Sequence, residues 1–592
     1  VPAIAPRPDA SLAAWQRWIA ALRQGPLAAL ASACGGEPLE SVYVGARRAI
    51  AGRLLIGFAR ERLVPAQRHA DALELELARG RVRLPLAARL PFELDRPALD
   101  DPDLDPCLDD PLALLDDPQL GLDVAARERV RAELRSSIDN LATARLARDI
   151  RERLARERPA SDDPRLVEPE HFVTEGHPWH PMTRTRLGLG RADSLRHAPE
   201  LLARCELAFV ELERARARVR GDWQARAELF GLRTRPGWVI VPVHPVQRRR
   251  LPNLLAPLWG RSLRPIAAPP IAARPLLSMR SVELAGLGHH LKLSLGVHTT
   301  SARRTVSPMS VADGPTISGL LEHLRARDAL VRRLSIMSEP AAIGLEPRGK
   351  LEPLARELGA ILRVVPRDTG EAWVCAALGE RWPGRDATLL ELACAKLPGG
   401  RAERVAAALE VWMRGLVAPA LRLFVAYGIA LEVHLQNTLV LVEDGRPLGF
   451  RVRDLGGIRL HRERLRLAGH APSFDAASFV ITDDLDEVRG KLVHALVHAQ
   501  LAHVFELAAA HGVPLERSYA RLATTIDECL RAWSEDPAEP EHVREAAALE
   551  RTRLFEPRVR AKALLRMRLS ERVSDYEYTW VDNPLARGLH MR

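Results

Sequence analysis

Between Thr438 and Asp454 the chain has little choice but to fold back on itself. Thr438-Leu439-Val440-Leu441-Val442 and Gly449-Phe450-Arg451-Val452-Arg453 are two strand-like runs, and Glu443-Asp444-Gly445-Arg446 between them carries the Asp-Gly pair of a tight hairpin. Just before the first run, Glu432-Val433-His434-Leu435-Gln436-Asn437 alternates, which as a strand places Glu432, His434 and Gln436 on one face. Asp454 ends the second run, ahead of Gly456-Gly457. The hairpin thus predicts that Asp454 returns toward Asn437 and Glu432. Three oxygen ligands at a strand end suit Mg²⁺ carried by nucleotide phosphates. The alternative is a buried polar network, which without a ligand would be costly to desolvate.

The 592 residues suggest three to four domains at about 150 residues each. A content of 47% hydrophobic and 27% charged residues excludes disordered, collagen-like and fibrous classes. Residues 1–92 read as helix mixed with short β runs such as Arg53–Phe58. Residues 93–123 hold ten Asp and many Pro, and read as a solvated linker or excursion; the Gly of a calcium-binding EF-hand turn is missing. Residues 124–158 show helical spacing through Val130, Leu134, Ile138 and Leu141. The middle, about 160–370, is Pro-rich with β-like runs, and the remainder after about 380 is mostly helical around the hairpin. No run approaches the ~18–20 apolar residues of a membrane span. The stretch from Gly25 to Cys34 superficially resembles a lipoprotein signal, but Trp15, Ile19 and Leu22 with Arg17 and Arg23 predict a first helix that ends at Gly35-Gly36. Six Cys without CxxC spacing speak against a zinc ribbon and for a reducing compartment. The expected location is cytoplasmic, with no membrane partner.

Three further clusters stand out. Glu175-Gly176-His177-Pro178-Trp179-His180-Pro181, followed by Arg184, Arg186 and Gly188, is a rigid loop, because each Pro fixes φ and extends the His before it. Such a loop either aims imidazoles at a ligand or holds structural histidines. The run from Trp238 to Gln247 delivers a third His-Pro, His244-Pro245, to a strand end. Leu291 to Val297 alternates, so Lys292, Ser294, Gly296 and His298 share a face that continues into Thr299-Thr300-Ser301 and Arg303-Arg304. Ser278-Met279-Arg280-Ser281 offers the same chemistry upstream. Hydroxyls, backbone amides and guanidinium groups are what a polyphosphate requires, although a solvated face with a basic turn would look alike. Neither GxxxxGK[ST] nor a GxGxxG after a strand is present. A kinase-like phosphotransferase using Asn437 and Asp454 is one candidate, weakened by the lack of an Asp base between His434 and Asn437. His494, His498 and His503 read as helix-packing residues.

Taken in order, these motifs resemble the IucA/IucC family of siderophore synthetases that work independently of non-ribosomal peptide synthetases. Gly176–Gly188 is similar to its GHPxHPxxKxRxG segment, His244–Gln247 to its HPWQ, Lys292–Thr305 to its KLSLxxxxTSxxRT, and Glu432–Asn437 with Arg453-Asp454 to its ExHxQN…RD pair. Lys562–Leu569 and Asn583-Pro584-Leu585 also look like the family. The resemblance implies an α+β fold shaped as a cupped hand: a thumb at 1–123 that includes the acidic linker, mixed β-sheet fingers at 124–375, and a mainly helical palm at 376–592. It implies an ATP- and Mg²⁺-dependent ligase, often a homodimer. Such an enzyme adenylates a carboxylate of citrate or a related acid, releases pyrophosphate, and passes the acyl group to an amine or hydroxyl. By the same resemblance, Ser278, Arg280, Lys292, Thr300, Ser301, Arg304, Gln436 and Asn437 bind ATP, and Glu432, Asn437 and Asp454 hold the metal. His177, His180, Arg304, His434, Lys562 and Arg566 meet the substrate carboxylate, with Arg304, His434 and His177 catalytic. Two departures, Arg184 for a common Lys and Val246 for a common Trp, are expected to alter substrate selection.

The net charge of +10 and a pI of about 9.7 first invite a nucleic-acid partner. Aromatic residues are only 5%, without the aromatic-basic interleaving used to stack bases, so no nucleic-acid partner is expected. Of 86 Lys and Arg residues only Lys292, Lys350, Lys396, Lys491 and Lys562 are Lys. That is a compositional bias toward Arg, and it makes Lys292 and Lys562, both inside family-like segments, informative.

Overall fold

The computed structural model describes residues 12–13, 15–17, 39–101, 104–157, 169–201, 203–268, 270–284, 286–300, 302–367, 369–570 and 577–588. Apart from helical residues at 12–13 and 15–17, the expected first helix lies outside these. Three main hydrophobic cores organise the described chain.

The first core joins helix Leu39–Arg60, helix Val124–Glu157 and an antiparallel sheet of Ala66–Arg68, Ala72–Leu77, Gly80–Ala88 and Arg96–Pro97. Arg53–Phe58, expected as a strand, lies inside the first of these helices. Leu54, Leu55 and Phe58 are fully buried there, and a short apolar run buried on several sides carries no period that tells helix from strand. The acidic segment is not a solvated linker either. It forms successive 3₁₀ turns, Pro106–Asp109, Ala113–Asp116 and Pro118–Leu120, and buries Cys107, Leu108, Leu114 and Leu115 in this core. Its Asp residues act as turn caps: Asp105 accepts from the Cys107 N–H at 2.8 Å and Asp117 from the Gln119 N–H at 3.0 Å. Val124–Glu157, expected with the second unit, instead buries Val130, Leu134, Ile138, Leu141, Leu146 and Ile150 in the first core, which Leu565 and Leu569 also join.

The second core is sheet on sheet. Seven antiparallel strands run in the order Cys205–Glu206, Ala272–Pro275, Ser281–Leu284, His289–Leu293, Gly359–Val364, Ala341–Leu345 and Ala217–Gly221. They share the core with a three-stranded sheet of Trp238–Val243, Ala208–Glu213 and Leu263–Ile266. The third core is mainly helical and holds the hairpin Thr438–Glu443/Arg446–Val452, flanked by Leu334–Ile336 and Glu371–Val374. This mixture of helices and sheets is the expected α+β class.

One helical stretch, Leu485–Ala510, is long and apolar enough by length and composition to cross a membrane, although charged residues and histidines interrupt its apolar run. Of its most apolar part 72% is buried within the fold, and it contributes Val488, Leu492, Leu496, Leu501 and Phe505 to the third core. Its middle, Val493–Leu501, is π-helical. Glu550, fully buried, fixes it by accepting from Arg489 Nε at 2.6 Å and from Arg464 at 2.7 Å.

Burial holds several imidazoles neutral: His171 falls to about 4, and His244 and His498 to about 3. An unfolded His titrates near ~6.5, so the unfolded chain binds more protons below that pH, and each such group removes up to ~1.4 kcal/mol of stability per pH unit. Unfolding free energy measured in urea should therefore fall steeply from pH 6.5 to 5, above the range where paired carboxylates protonate. Equal values at pH 7 and pH 5 would contradict neutral burial.

Candidate active site

Segments from all three cores enclose a cavity of about 450 Å³. Its wall includes the His-Pro loop, the Ser278-Met279 turn, Thr299 to Arg304, the Glu432–Gln436 turn, the π-helical segment, and the chain from Lys562 to Arg568.

The His-Pro loop is held at both ends. Glu175 accepts from Arg53 at 2.9 Å and from Arg145 at 2.8 Å, and although burial opposes its charge these cations draw its pKa down to about 2. Gly176 at φ 70° lies where a Cβ would overlap the Thr183 hydroxyl. Arg184 explains its own departure from Lys. Its guanidinium donates to the carbonyls of Thr174, at 3.0 Å, and Val173, and pairs with Glu200 at 3.3 Å. A planar fork meets three such acceptors, whereas an ammonium would not reach them in one plane. Arg186 also pairs with Glu200. Val246 is buried with Met279, Leu295 and Val297, so the second departure lies behind the cavity wall and removes no aromatic surface from it.

The alternating strand expected over 291–298 ends at Leu293. Gly296 at φ 64° turns the chain, and His298 pairs through its backbone with Leu187. Ser294 does not face the site: its hydroxyl donates to the Arg356 carbonyl at 2.8 Å and accepts from the Val306 N–H at 3.1 Å. Lys292 does reach the site's edge, where its Nζ lies 2.6 Å from Asp454 Oδ1. Asp454 also meets Arg363 at 3.1 Å, and Arg363 meets buried Glu339 at 2.7 Å. Despite burial, Lys292 and Arg363 hold the Asp454 carboxyl well below the usual range. Glu432 pairs with Lys491, and although burial opposes it, Lys491 brings its pKa down to about 2.

Glu432–Asn437 forms a turn in place of the expected strand: the Asn437 and Thr438 N–H groups both donate to the His434 carbonyl, at 2.9 and 3.0 Å. The alternation holds only in part: Glu432, His434 and Gln436 line the cavity while Val433 is fully buried, but the turn brings Leu435 to the wall as well. Asn437 stands behind, its Nδ2 at 3.3 Å from His434 Nε2.

Of the expected residues, His177, His180, Ser278, Thr300, Arg304, Glu432, His434, Gln436 and Lys562 line one cavity. Lys292, Asn437, Asp454 and Arg280 stand around it, Arg280 half-buried with NH1 at 2.5 Å from the Thr305 carbonyl. Arg304 donates to the Thr299 hydroxyl at 2.5 Å. Ser301 lies outside the described residues. Arg566 is not on the wall; it donates to the Glu61 carbonyl, and Arg568 lines the cavity in its place, paired with Glu133. The two arginines are two residues apart, about half a turn of helix Leu564–Leu569, so they point to opposite sides, and the helix orientation is set by Leu565 and Leu569 packing into the first core. Sequence reasoning also missed Lys491 and His494, both on the wall. His494 was expected to pack; His498, which stacks on Phe92 at 4.1 Å, does. The signal for Lys491 was its rarity in an Arg-rich chain.

Seven described non-glycine residues have positive φ, and Met279, Thr300 and Asp454 are three of them, at 44°, 55° and 68°. For β-branched Thr300 this is a strained conformation, and such strain collects at binding sites. Glu432 and Asp454 are ionised oxygen donors, and with the Asn437 amide they fit the chemistry of a Mg²⁺ site.

Residues 165–380 match the family model described as "IucA / IucC family", and residues 409–577 match one described as "Ferric iron reductase FhuF-like transporter". The chain is 27% identical over 525 residues to staphyloferrin A synthase of Staphylococcus aureus, covering 80% of this chain and 85% of that one. It is 25% identical over 464 residues to L-2,3-diaminopropanoate–citrate ligase of the same organism, covering 71% and 76%. Its fold matches petrobactin biosynthesis protein AsbB from Bacillus anthracis with a TM-score of 0.77, 18% identity and 98% of both chains covered. It matches ATP-bound aerobactin synthetase IucA from Klebsiella pneumoniae with a TM-score of 0.69, 18% identity and 91% and 99% covered. Residues 165–380, which hold the His-Pro, Lys292 and Arg304 segments, match the IucA/IucC family model, and the fold is shared almost end to end with petrobactin biosynthesis protein AsbB.

Proposed function

We propose that this chain is an ATP-dependent ligase that adenylates a carboxylate of citrate or a citrate-like acid and condenses it with an amine or hydroxyl to build a siderophore. The observation that carries this is the charge of the cavity wall: of its six cations, Arg184 and Arg186 share Glu200, Arg568 pairs with Glu133 and Lys491 with Glu432, so that with Arg304 and Lys562 the cations outnumber these carboxylates by three. A triphosphate and a polycarboxylate can meet there only because cations offset their mutual repulsion. The relatives named for citrate ligation and the ATP-bound synthetase of the same fold support the choice of anions.

In the first step a substrate carboxylate oxygen attacks the α-phosphorus and pyrophosphate leaves. Arg304, on the wall beside Thr299 and Thr300, is positioned to bridge the two anions. His177, His180 and His434 offer neutral N–H groups to carboxylate and phosphate oxygens; burial pushes His177 down to about 3 and His180 well below its ordinary value. Lys292 and Lys491 hold Asp454 and Glu432 in place. Those carboxylates, with Asn437, would hold Mg²⁺, which when bound neutralises phosphate charge. In the second step the acceptor attacks the acyl carbon and AMP leaves. The same proposal includes a homodimer, tested by light scattering for twice the 65.5 kDa chain mass, and a cytoplasmic site of action where ATP is available.

Incubation with ATP, Mg²⁺, citrate and a panel of amines should give AMP and pyrophosphate only when the acid is present. ADP with a phosphorylated product would favour the kinase-like alternative. Arg304→Ala is expected to lower acid-dependent ATP–pyrophosphate exchange by about 100-fold or more; full retention would refute its bridging role. At Gly457 a Cβ would overlap the Glu432 carboxylate. Gly457→Ala should therefore push Glu432 away from Lys491 and reduce exchange by roughly tenfold or more with little change in thermal stability, since the overlapped atoms end a flexible side chain. Unchanged exchange would show that Glu432 is not needed where it stands.

A further inference from the structure

Four imidazoles line the cavity, and for three of them local hydrogen bonds fix which nitrogen carries the hydrogen. In each His-Pro-X triplet the N–H of the third residue donates to the histidine Nδ1. Trp179 does so to His177 at 3.4 Å and Met182 to His180 at 3.1 Å; away from the cavity, Val246 does so to His244 at 3.2 Å. A ring nitrogen that accepts has no hydrogen of its own, so these neutral rings carry it on Nε2. His180 Nε2 is buried without a partner, a donor held for a ligand. His434 accepts at Nε2 from the Asn437 amide at 3.3 Å, which leaves its hydrogen on Nδ1. These three rings present N–H groups, suited to anionic oxygens and unable to take a proton at those atoms.

His494 differs. It lies on the π-helical segment Val493–Leu501 and faces the cavity beside Lys491 of the same helical stretch, with Lys562 nearby on strand Arg558–Lys562. Its Nδ1 is buried with no hydrogen-bond partner. Among the cavity imidazoles it is the one whose tautomer no described hydrogen bond fixes, and so the one able to turn a lone pair toward a ligand. A π-bulge in a helix is frequent at functional sites.

We propose that His494 accepts the proton of the attacking amine in the condensation step, an inference that rests on the ligase reading above. The amine nitrogen forms a bond to the acyl carbon, the bond from that carbon to the AMP oxygen breaks, AMP departs as its phosphate anion, and the proton shed by nitrogen passes to the His494 lone pair. The surroundings suit this. The charged and titratable groups that act on His494 are Lys491 and His498 from its own helical stretch, Lys562 from the strand and His177 from the loop. Burial, then Lys562, keeps the ring unprotonated before substrates arrive. The same cations disfavour the ammonium form of an incoming amine, and the negative charge of a bound acyl-adenylate offsets them when the ring must become basic.

The test compares wild type, His494→Gln and His494→Ala in three assays: citrate-dependent ATP–pyrophosphate exchange, amide formation with 2,3-diaminopropanoate, ornithine or spermidine, and hydroxamate formation with hydroxylamine. Hydroxylamine is unprotonated at neutral pH and does not need the same help. Amide formation should fall by about 100-fold in both variants while exchange and hydroxamate formation stay within about threefold of wild type. Added imidazole should restore part of the His494→Ala amide rate. Amide formation retained within about threefold, or all three activities lost together, overturns the assignment. Absence of acid-dependent exchange in wild type would instead overturn the ligase reading, and this inference with it.

Discussion

A buried chain of charges holds the site together. Glu339, Arg363, Asp454 and Lys292 follow one another at 2.7, 3.1 and 2.6 Å. Lys292 and Arg363 come from adjacent strands of the seven-stranded sheet, while Asp454 ends the hairpin of the helical part. Any one of these charges buried alone would be costly, but two anions and two cations in series compensate one another. The compensation forces the sheet and the hairpin into one relative position. That position is what brings Ser278 and Arg304 to face Glu432 and His434 across the cavity. It also leaves Asp454 in a left-handed conformation that a non-glycine residue adopts only under constraint.

The choice of cation along the wall follows the chemistry. Where a guanidinium appears at a brace, as at Arg184, Arg186 and Arg568, its fork is spent on carbonyls or on Glu200 and Glu133. Beside Asp454 and Glu432 the chain instead uses the point charges of Lys292 and Lys491. Lys is a compact donor on a flexible stem and can change partners as ligands enter. Three of the five lysines gather at the site, whereas Lys350 and Lys396 are exposed elsewhere. In a chain so biased toward Arg, three of its five Lys stand at one cavity, and the basic balance is partly a property of that cavity.

Most of the site was legible because its signals are local. A His-Pro pair fixes its own geometry, an Asp-Gly between apolar runs makes a hairpin, and Glu432, His434 and Gln436 point the same way whether the backbone is strand or turn. The failures share a cause. Arg53–Phe58 looked like a strand because a run buried on many sides shows no period. The acidic 93–123 segment looked solvated because Asp at a turn and Asp in a linker read alike. Arg566 was chosen over Arg568, and His494 was set aside with His498, because helix spacing says which residues share a face but not what that face meets.

The sequence alone determined the chemistry on offer: neutral imidazoles on a rigid loop, hydroxyls and cations after a strand, and carboxylates at the two ends of a hairpin. Each depends on neighbours within about two dozen residues, where bonded geometry and a single turn limit the choices. Only the tertiary structure decided which of these groups face one another, which arginines are braces, and that Lys491 and His494 belong to the site. Those outcomes rest on pairings across hundreds of residues, such as Lys292 with Asp454 and Arg568 with Glu133. Such pairings are fixed by the burial of whole cores and the need to neutralise charge inside them, and no local pattern encodes either.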